Sequence, residues 1–388
     1  MDRFEFFGVG RVVFGRGQFA RAEELAATLG GNPLIVYNGD EPGRGGALDT
    51  LCGATQPKAV ERQRGEPTVA DIDRILDAAR TANCDCVVAL GGGSAIDAAK
   101  AVAGLLANGG AALDYMEVVG KGQKITKPAL PWMAIPTTAG TGAEATRNAV
   151  IGYPEKQFKA SIRSEMLLPR VALIDPEIQT GVPPAVTAAS GMDALCQCVE
   201  SYTSTGANPI TDALAFRGIA LAATRLRDAY TSGEDVEARE AMAMAALLSG
   251  ITLTSAGLGA VHGFAAPLGA NFPVPHGVVC AALLPHVIEA NVGAARAGSP
   301  DHPVLARYAK VGRHLTSGAL GNNEAIDHAI AATASLARDL KIPRLGTFGL
   351  TPAAVPAMVQ LARKASSMRF NPVILSDDAL AGILERAL

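Results

Sequence analysis

Residues 86–107 read CVVALGGGSAIDAAKAVAGLLA, and the fold follows from this stretch. The apolar run Cys86 to Leu90 has the length and β-branching of a buried strand, and it passes through Gly91, Gly92 and Gly93 directly into an alanine-rich helical segment. Three glycines at a strand-to-helix turn let the backbone approach a ligand closely. The helix N-terminus that follows offers unpaired N–H groups and the positive end of a dipole. Such a turn suits a pyrophosphate. A plainer reading stands beside it, in which Ser94 is a helix N-cap and Asp97 completes a capping box.

Upstream and downstream, short apolar runs recur between helical segments: PLIVYN near residue 35, PWMAIPTT near 134 and RVALIDP near 172. This alternation predicts a mostly parallel sheet covered by helices, an α/β dinucleotide-binding domain over residues 1–183. A second turn, IPTTAGTGAEAT at 135–146, concentrates Thr137, Thr138 and Thr141 around glycines. Those hydroxyls suit the sugar and phosphate path of a dinucleotide; alternatively they cap a turn into a helix at Ala143. Two such turns at strand carboxyl ends of one sheet favour a ligand site, because ligands of open α/β sheets bind there. Past the paired Pro183 and Pro184 the period changes to long helical stretches, including 209–231, 236–252, 323–340 and 352–366. Residues 184–388 therefore read as an all-α domain.

Bulk properties agree with two domains, since 388 residues exceed the roughly 250–300 that one core serves. Hydrophobic residues at 49% against 18% charged allow large cores, and a net charge of -3 with no basic stripe argues against a nucleic-acid partner. The longest unbroken apolar stretches, such as Ala241 to Leu248 and Val278 to Leu284, fall short of the roughly 18 residues of a membrane span. With charges and glycines in MDRFEFFGVGRVVFG in place of a leader pattern, a cytoplasmic location without membrane association is expected. The six cysteines then read as reduced thiols; Cys84 and Cys86, like Cys196 and Cys198, are assigned to packing.

Of six histidines, His262 and His276 lie fourteen residues apart in GLGAVHGFAAPLGANFPVPHGVVC, and both are surrounded by glycine and proline. In SGMDALCQCVESY, Asp193 is placed near a helix start with Gln197 one turn later on the same face. One carboxylate, one amide oxygen and two imidazoles suit a divalent ion such as iron, zinc or manganese, with a position left for a substrate oxygen. Taken singly, Asp193 also fits a helix N-terminal charge, His276 a cap and His262 a hydrogen-bonded core residue. His286, His302, His314 and His328 carry no assigned chemistry.

In order and spacing, GGGSAIDAAKA, PTTAGTGAEAT, LIDPEI, SGMDAL, ESYTSTGANPITDALA, GAVHGFAAPLGANFPVPHG and LLPHVIEAN resemble the iron-containing (group III) alcohol dehydrogenase family over nearly the whole chain. The resemblance implies hydride transfer between NAD or NADP and a small alcohol or aldehyde whose oxygen sits on a metal, Fe2+ first, with Zn2+ or Mn2+ as alternatives. Gly91, Gly92, Gly93, Ser94 and Asp97 would hold the pyrophosphate region, and Thr137, Thr138, Thr141, Asn148 and Lys159 would line the rest of the cofactor path. Asp193, His262 and His276 would bind the metal and serve catalysis, and a homodimer or larger homo-oligomer is implied.

Three positions depart from the family pattern. The DAxxH histidine is Gln197, the weaker ligand. Where lactaldehyde reductase-like members carry a second histidine, this chain has Ala266, so proton exchange is expected through solvent, cofactor hydroxyls or Thr141. Asn38 stands where NAD-preferring members have an aspartate on the ribose, which leaves NADP open. Two rivals keep the fold: a metal-free maleylacetate reductase-like enzyme using Arg147, Arg163 or Arg369, and a dehydroquinate synthase-like elimination, for which a basic phosphate pocket is missing from the sequence. A metal- or nucleotide-sensing module lacks any partner-binding element.

Overall fold

Eight strands, β1 (Val12–Phe14), β2 (Pro33–Tyr37), β3 (Ala59–Arg62), β4 (Cys86–Gly91), β5 (Trp132–Pro136), β6 (Asn148–Tyr153), β7 (Phe158–Arg163) and β8 (Val171–Ile174), occur among the described residues. The computed structural model describes residues 3–39, 46–316 and 320–388. Six strands form a parallel sheet in the order β1-β8-β5-β4-β2-β3, while β6 and β7 make a separate antiparallel hairpin. Successive side chains of a strand point to opposite faces, and here both faces are covered. Leu34, Val36, Val87 and Ala89 enter one core, and Ile35, Cys86, Val88 and Leu90 enter another. That double burial explains why these strands are continuous apolar runs instead of alternating ones.

The strand order reverses between β2 and β4, as expected of a doubly wound sheet, and the glycine turn sits at the end of β4 beside that reversal. The α/β unit comprises residues 7–182 together with 234–243; the helical unit comprises 3–6, 183–233 and 244–388 among the described residues. The single boundary expected near 183 therefore misses two exchanges: the N-terminal residues belong with the helical unit, and 234–243 with the sheet unit. Pro183 and Pro184 occupy the N-cap and first position of the helix Pro184–Thr203, where a missing N–H costs nothing.

The predicted stretches at 209–231 and 323–340 are the helices Pro209–Thr231 and Asn322–Asp339, and that at 236 extends to Ala256. At 352–366 a 3-10 turn, Pro352–Ala354, precedes the helix Val355–Arg363. The helix His276–Gly298 is longer than its unbroken apolar stretch suggested, and by length and composition it would suffice to cross a membrane. Two thirds of its apolar window is buried inside the fold, as in a core helix. All six cysteines are free thiols.

Below the glycine turn, the helix Gly93–Asn108 carries a fully buried lysine. Lys100 Nζ donates to Ala143 O at 2.9 Å, Thr146 Oγ1 at 2.6 Å and Asn148 O at 2.8 Å, and lies 3.6 Å from Asp97 Oδ1. It thereby ties the threonine-rich turn to the glycine-turn helix. Burial raises Asp97 to about 6 and Glu144 to about 7, and lowers Lys100 to about 8. Removing the cation would leave the Ala143 and Asn148 carbonyls sharing the single Thr146 hydroxyl proton and the buried carboxylates without a counter-charge. Lys100→Met is expected to cost about 3–5 kcal/mol in urea unfolding, the usual range for breaking a buried charged network; unchanged stability would show that these contacts contribute little.

Candidate active site

The glycine turn and the threonine turn meet. A methyl group at Gly92 would lie 2.9 Å from Thr138 Oγ1, and one at Gly93 would lie 2.7 Å from Thr141 Oγ1. Only hydrogen fits at both positions. Thr137 N donates to Gly91 O at 2.9 Å, which joins the turns through their backbones as well. The helix begins at Gly93 with Gly92 as its N-cap, so Ser94 is inside the first turn and caps nothing. Asp97 likewise makes no capping box: its Oδ2 accepts from Val150 N at 3.1 Å and anchors β6. The expected helix at Ala143 is a 3-10 turn, Ala143–Ala145, with Thr141 Oγ1 accepting from Ala143 N at 3.3 Å.

Asn38, expected at the ribose, turns its Oδ1 to Gly92 N at 2.9 Å and so braces the glycine turn from the end of β2. Lys159 pairs with Glu66, and the Asn148 carbonyl is held by Lys100. Gly91, Gly92, Gly93, Ser94, Thr138 and Thr141 are thus brought together at the strand ends.

A second constellation lies in the helical unit. Asp193 is not near a helix start but midway along Pro184–Thr203, with 1% of its surface exposed. Its Oδ1 is 3.2 Å from His262 Nε2 and 3.7 Å from His276 Nε2. His262 projects from the helix Ala260–Asn271, and His276 is the first residue of His276–Gly298. Gly277 lets that helix start lie against its neighbour, because any side chain there would overlap the Ala189 carbonyl.

Gln197 shares the face of Asp193, as expected, but offers no oxygen to the group. Its Nε2 donates to Asp193 Oδ2 at 3.1 Å, and its Oε1 accepts from Ser249 Oγ at 3.0 Å. Reversing the amide would set oxygen against carboxylate and leave two acceptors in contact. Gln197 therefore orients Asp193.

Two participants went unassigned in the sequence. Glu200 Oε2 lies 2.7 Å from His262 Nδ1, and its Oε1 accepts from Val261 N at 2.7 Å. This fixes the ring so that Nε2 faces Asp193, the arrangement by which a carboxylate orients a ligating imidazole. The signal was present: 193, 197 and 200 are spaced i, i+4, i+7 along one helical stripe. Cys280, one turn after His276, places Sγ 3.6 Å from His262 Nε2 and 3.7 Å from His276 Nε2. Cys196, assigned to packing from the sequence, groups with Glu200 and His262, since i+3 from Asp193 is also on that stripe. Cys198 does pack outward, against Ala245 and Gly218.

The donors of Asp193, His262, His276 and Cys280 all lie within 4.8 Å of one another. A carboxylate, imidazoles and a thiol in that space fit a divalent transition metal. Burial alone would raise Asp193, but the charge of His276 and the His262 hydrogen bond hold it at about 2. Burial opposes protonation of His276, yet interaction with the neighbouring Cys280 and with the Asp193 carboxylate lifts it to about 9. Burial pushes the Cys280 thiol well above its usual range.

Residues 10–176 match the family profile described as "Iron-containing alcohol dehydrogenase", and residues 187–388 match its C-terminal counterpart. The chain is 36% identical over 385 residues to alcohol dehydrogenase 4 of Schizosaccharomyces pombe, covering 97% of this chain and 87% of that one. It is 35% identical over 382 residues to 1,3-propanediol dehydrogenase of Klebsiella pneumoniae, covering 96% of each. An alcohol dehydrogenase structure from Oenococcus oeni superimposes with a TM-score of 0.91 at 30% identity, over all of both chains. The fold and these similarities define an oxidoreductase of the alcohol dehydrogenase class. The chain belongs to the iron-containing alcohol dehydrogenase family, group III.

Glu200→Gln should keep the fold but weaken metal affinity by about 10–100-fold, the usual effect of losing such an orienting carboxylate; equilibrium dialysis against a metal indicator would measure it. Imidazole and thiol donors must lose their protons to ligate, and Asp193 beside His276 favours its protonated form, so metal uptake should release protons and weaken as pH falls. Calorimetry in buffers of different ionisation enthalpy reads the release, and none at neutral pH would contradict this geometry.

Proposed function

We propose that this protein interconverts a small alcohol and its aldehyde or ketone with a nicotinamide dinucleotide, at a divalent metal held by Asp193, His262 and His276. Convergence of those three side chains, with His262 oriented by Glu200, is the observation that carries the reading. When bound, the metal supplies Lewis acidity to a carbonyl or alcohol oxygen. Iron is the first expectation, with zinc and manganese as alternatives.

The protein's own residues perform the rest. Gly92, Gly93 and Ser94 offer the N-terminus of the helix Gly93–Asn108 to the pyrophosphate, and Asn38 braces that turn. Thr137, Thr138 and Thr141 line the adjoining path. Gln197 holds Asp193 and Glu200 holds His262 in the orientations that ligation needs. Ala266 supplies no imidazole, so proton exchange runs through solvent, cofactor hydroxyls or Thr141. The arginines that a metal-free reductase of an acidic substrate would need are engaged elsewhere: Arg147 stacks on Phe7, Arg163 pairs with Glu117, and Arg369 stacks on Phe370.

NAD(P)H oxidation with a panel of small aldehydes should show turnover that a chelator abolishes and Fe2+, Zn2+ or Mn2+ restores; full activity after metal removal would reject the metal part. Asn38 carries no charge against a 2′-phosphate, so both cofactors are accepted in this reading. Asn38→Asp keeps an oxygen for Gly92 N while adding repulsion, and should lower kcat/KM for NADP relative to NAD by about tenfold or more. We further propose a cytoplasmic homo-oligomer, at least a dimer, which light scattering of the purified protein tests.

A further inference from the structure

We propose that Cys280, and not Gln197, is the fourth protein ligand of the metal. The inference rests on the proposed metal-dependent function and goes beyond it by naming a thiolate in the ligand set. Gln197 is excluded by its own bonds, because its amide nitrogen faces Asp193 and its oxygen is taken by Ser249. Cys280 is fully buried, and its Sγ stands between the two imidazoles.

The spacing fits ligation. Bond lengths of about 2.0–2.3 Å set ligand-to-ligand edges of about 3.3–3.8 Å at near-tetrahedral angles, and a substrate oxygen would expand the set to five. Four of the six edges are 3.2 Å (Asp193 to His262), 3.7 Å (Asp193 to His276), 3.6 Å (Cys280 to His262) and 3.7 Å (Cys280 to His276), and the other two are within 4.8 Å. The sulfur lies at that distance from both Nε2 atoms, and both nitrogens are also turned toward the same carboxylate oxygen, the convergence on one point that a metal requires. The helix places His276 and Cys280 four residues apart, so one turn supplies two donors from one face.

Binding replaces the S–H bond by a sulfur–metal bond, and the proton leaves to solvent. With one carboxylate and one thiolate the ligand set carries two negative charges, which neutralise a divalent ion in the apolar helical interior. A soft sulfur also biases the site toward zinc or iron over manganese, which prefers oxygen.

X-ray absorption of the zinc-loaded wild-type protein is the direct test and needs no variant. The expected shell contains one sulfur at about 2.3 Å beside nitrogen and oxygen. The Co2+-substituted protein should show a thiolate charge-transfer band that Cys280→Ser abolishes and Cys196→Ser keeps. Cys280→Ser should weaken zinc binding by about 100-fold, at least the upper end of what orienting residues cost, and narrow the zinc-over-manganese preference. A shell of nitrogen and oxygen alone, or a cobalt band that survives in Cys280→Ser, overturns the proposal while leaving the metal-dependent function intact. Failure of the wild-type protein to bind a stoichiometric metal overturns both.

Discussion

A carboxylate buried midway along an apolar helix must be compensated, and much of the helical unit is arranged around that requirement. Asp193 is 1% exposed, and an unpaired carboxylate there would take up a proton or destabilise the fold. Instead three elements converge on it. Gln197 donates from its own helix, His262 faces it from a second, and His276 from the start of a third. Each partner is in turn held: Gln197 by Ser249, His262 by Glu200, and the third helix by a close approach that only Gly277 permits. The result is a pre-oriented cluster in which the donor atoms are placed by packing before any metal arrives. Such preorganisation lowers the ordering that metal binding would otherwise require.

The α/β unit meets a different constraint, that of leaving backbone bare at a turn where no side chain fits. Gly92 and Gly93 have threonine side chains where a methyl group would sit, and Asn38 ties the same turn to the neighbouring strand. Lys100 secures the second turn from beneath by answering two backbone carbonyls and a hydroxyl. The unit therefore combines a glycine-dependent surface with a buried cation that stiffens its support. Neither feature depends on apolar packing alone, although the sheet beneath both is built from it.

Patterns with a short period were legible before the structure. The strand at 86–91, the helix that follows it, and the helices at 209 and 322 appear where apolar spacing and turn residues placed them. Asp193 and Gln197 share one face as their spacing predicts, because an i, i+4 relation is a local property of any helix. The differences also have local causes. The alanine- and threonine-rich turns before Asp193 carry little amphipathic signal, so the pattern shows a helix start near a residue that is midway along Pro184–Thr203. Adjacency to Gln197 suggests packing for Cys196, although its i+3 relation to Asp193 brings it to the same stripe.

Sequence by itself determined the two-domain architecture, the family and the approximate address of both constellations, because hydrophobic periodicity, glycine turns and motif order are written along the chain. Tertiary structure alone decided which atoms face one another. That Gln197 turns nitrogen toward Asp193, that Glu200 takes the far side of His262, and that Cys280 stands between two imidazoles depend on three helices crossing at one point. Residues 61 to 87 positions apart in the chain, such as Glu200 with Val261 or Asp193 with Cys280, meet only there. Side-chain orientation in a buried polar cluster is set by the requirement that every donor and acceptor find a partner, and that requirement has no expression in local spacing.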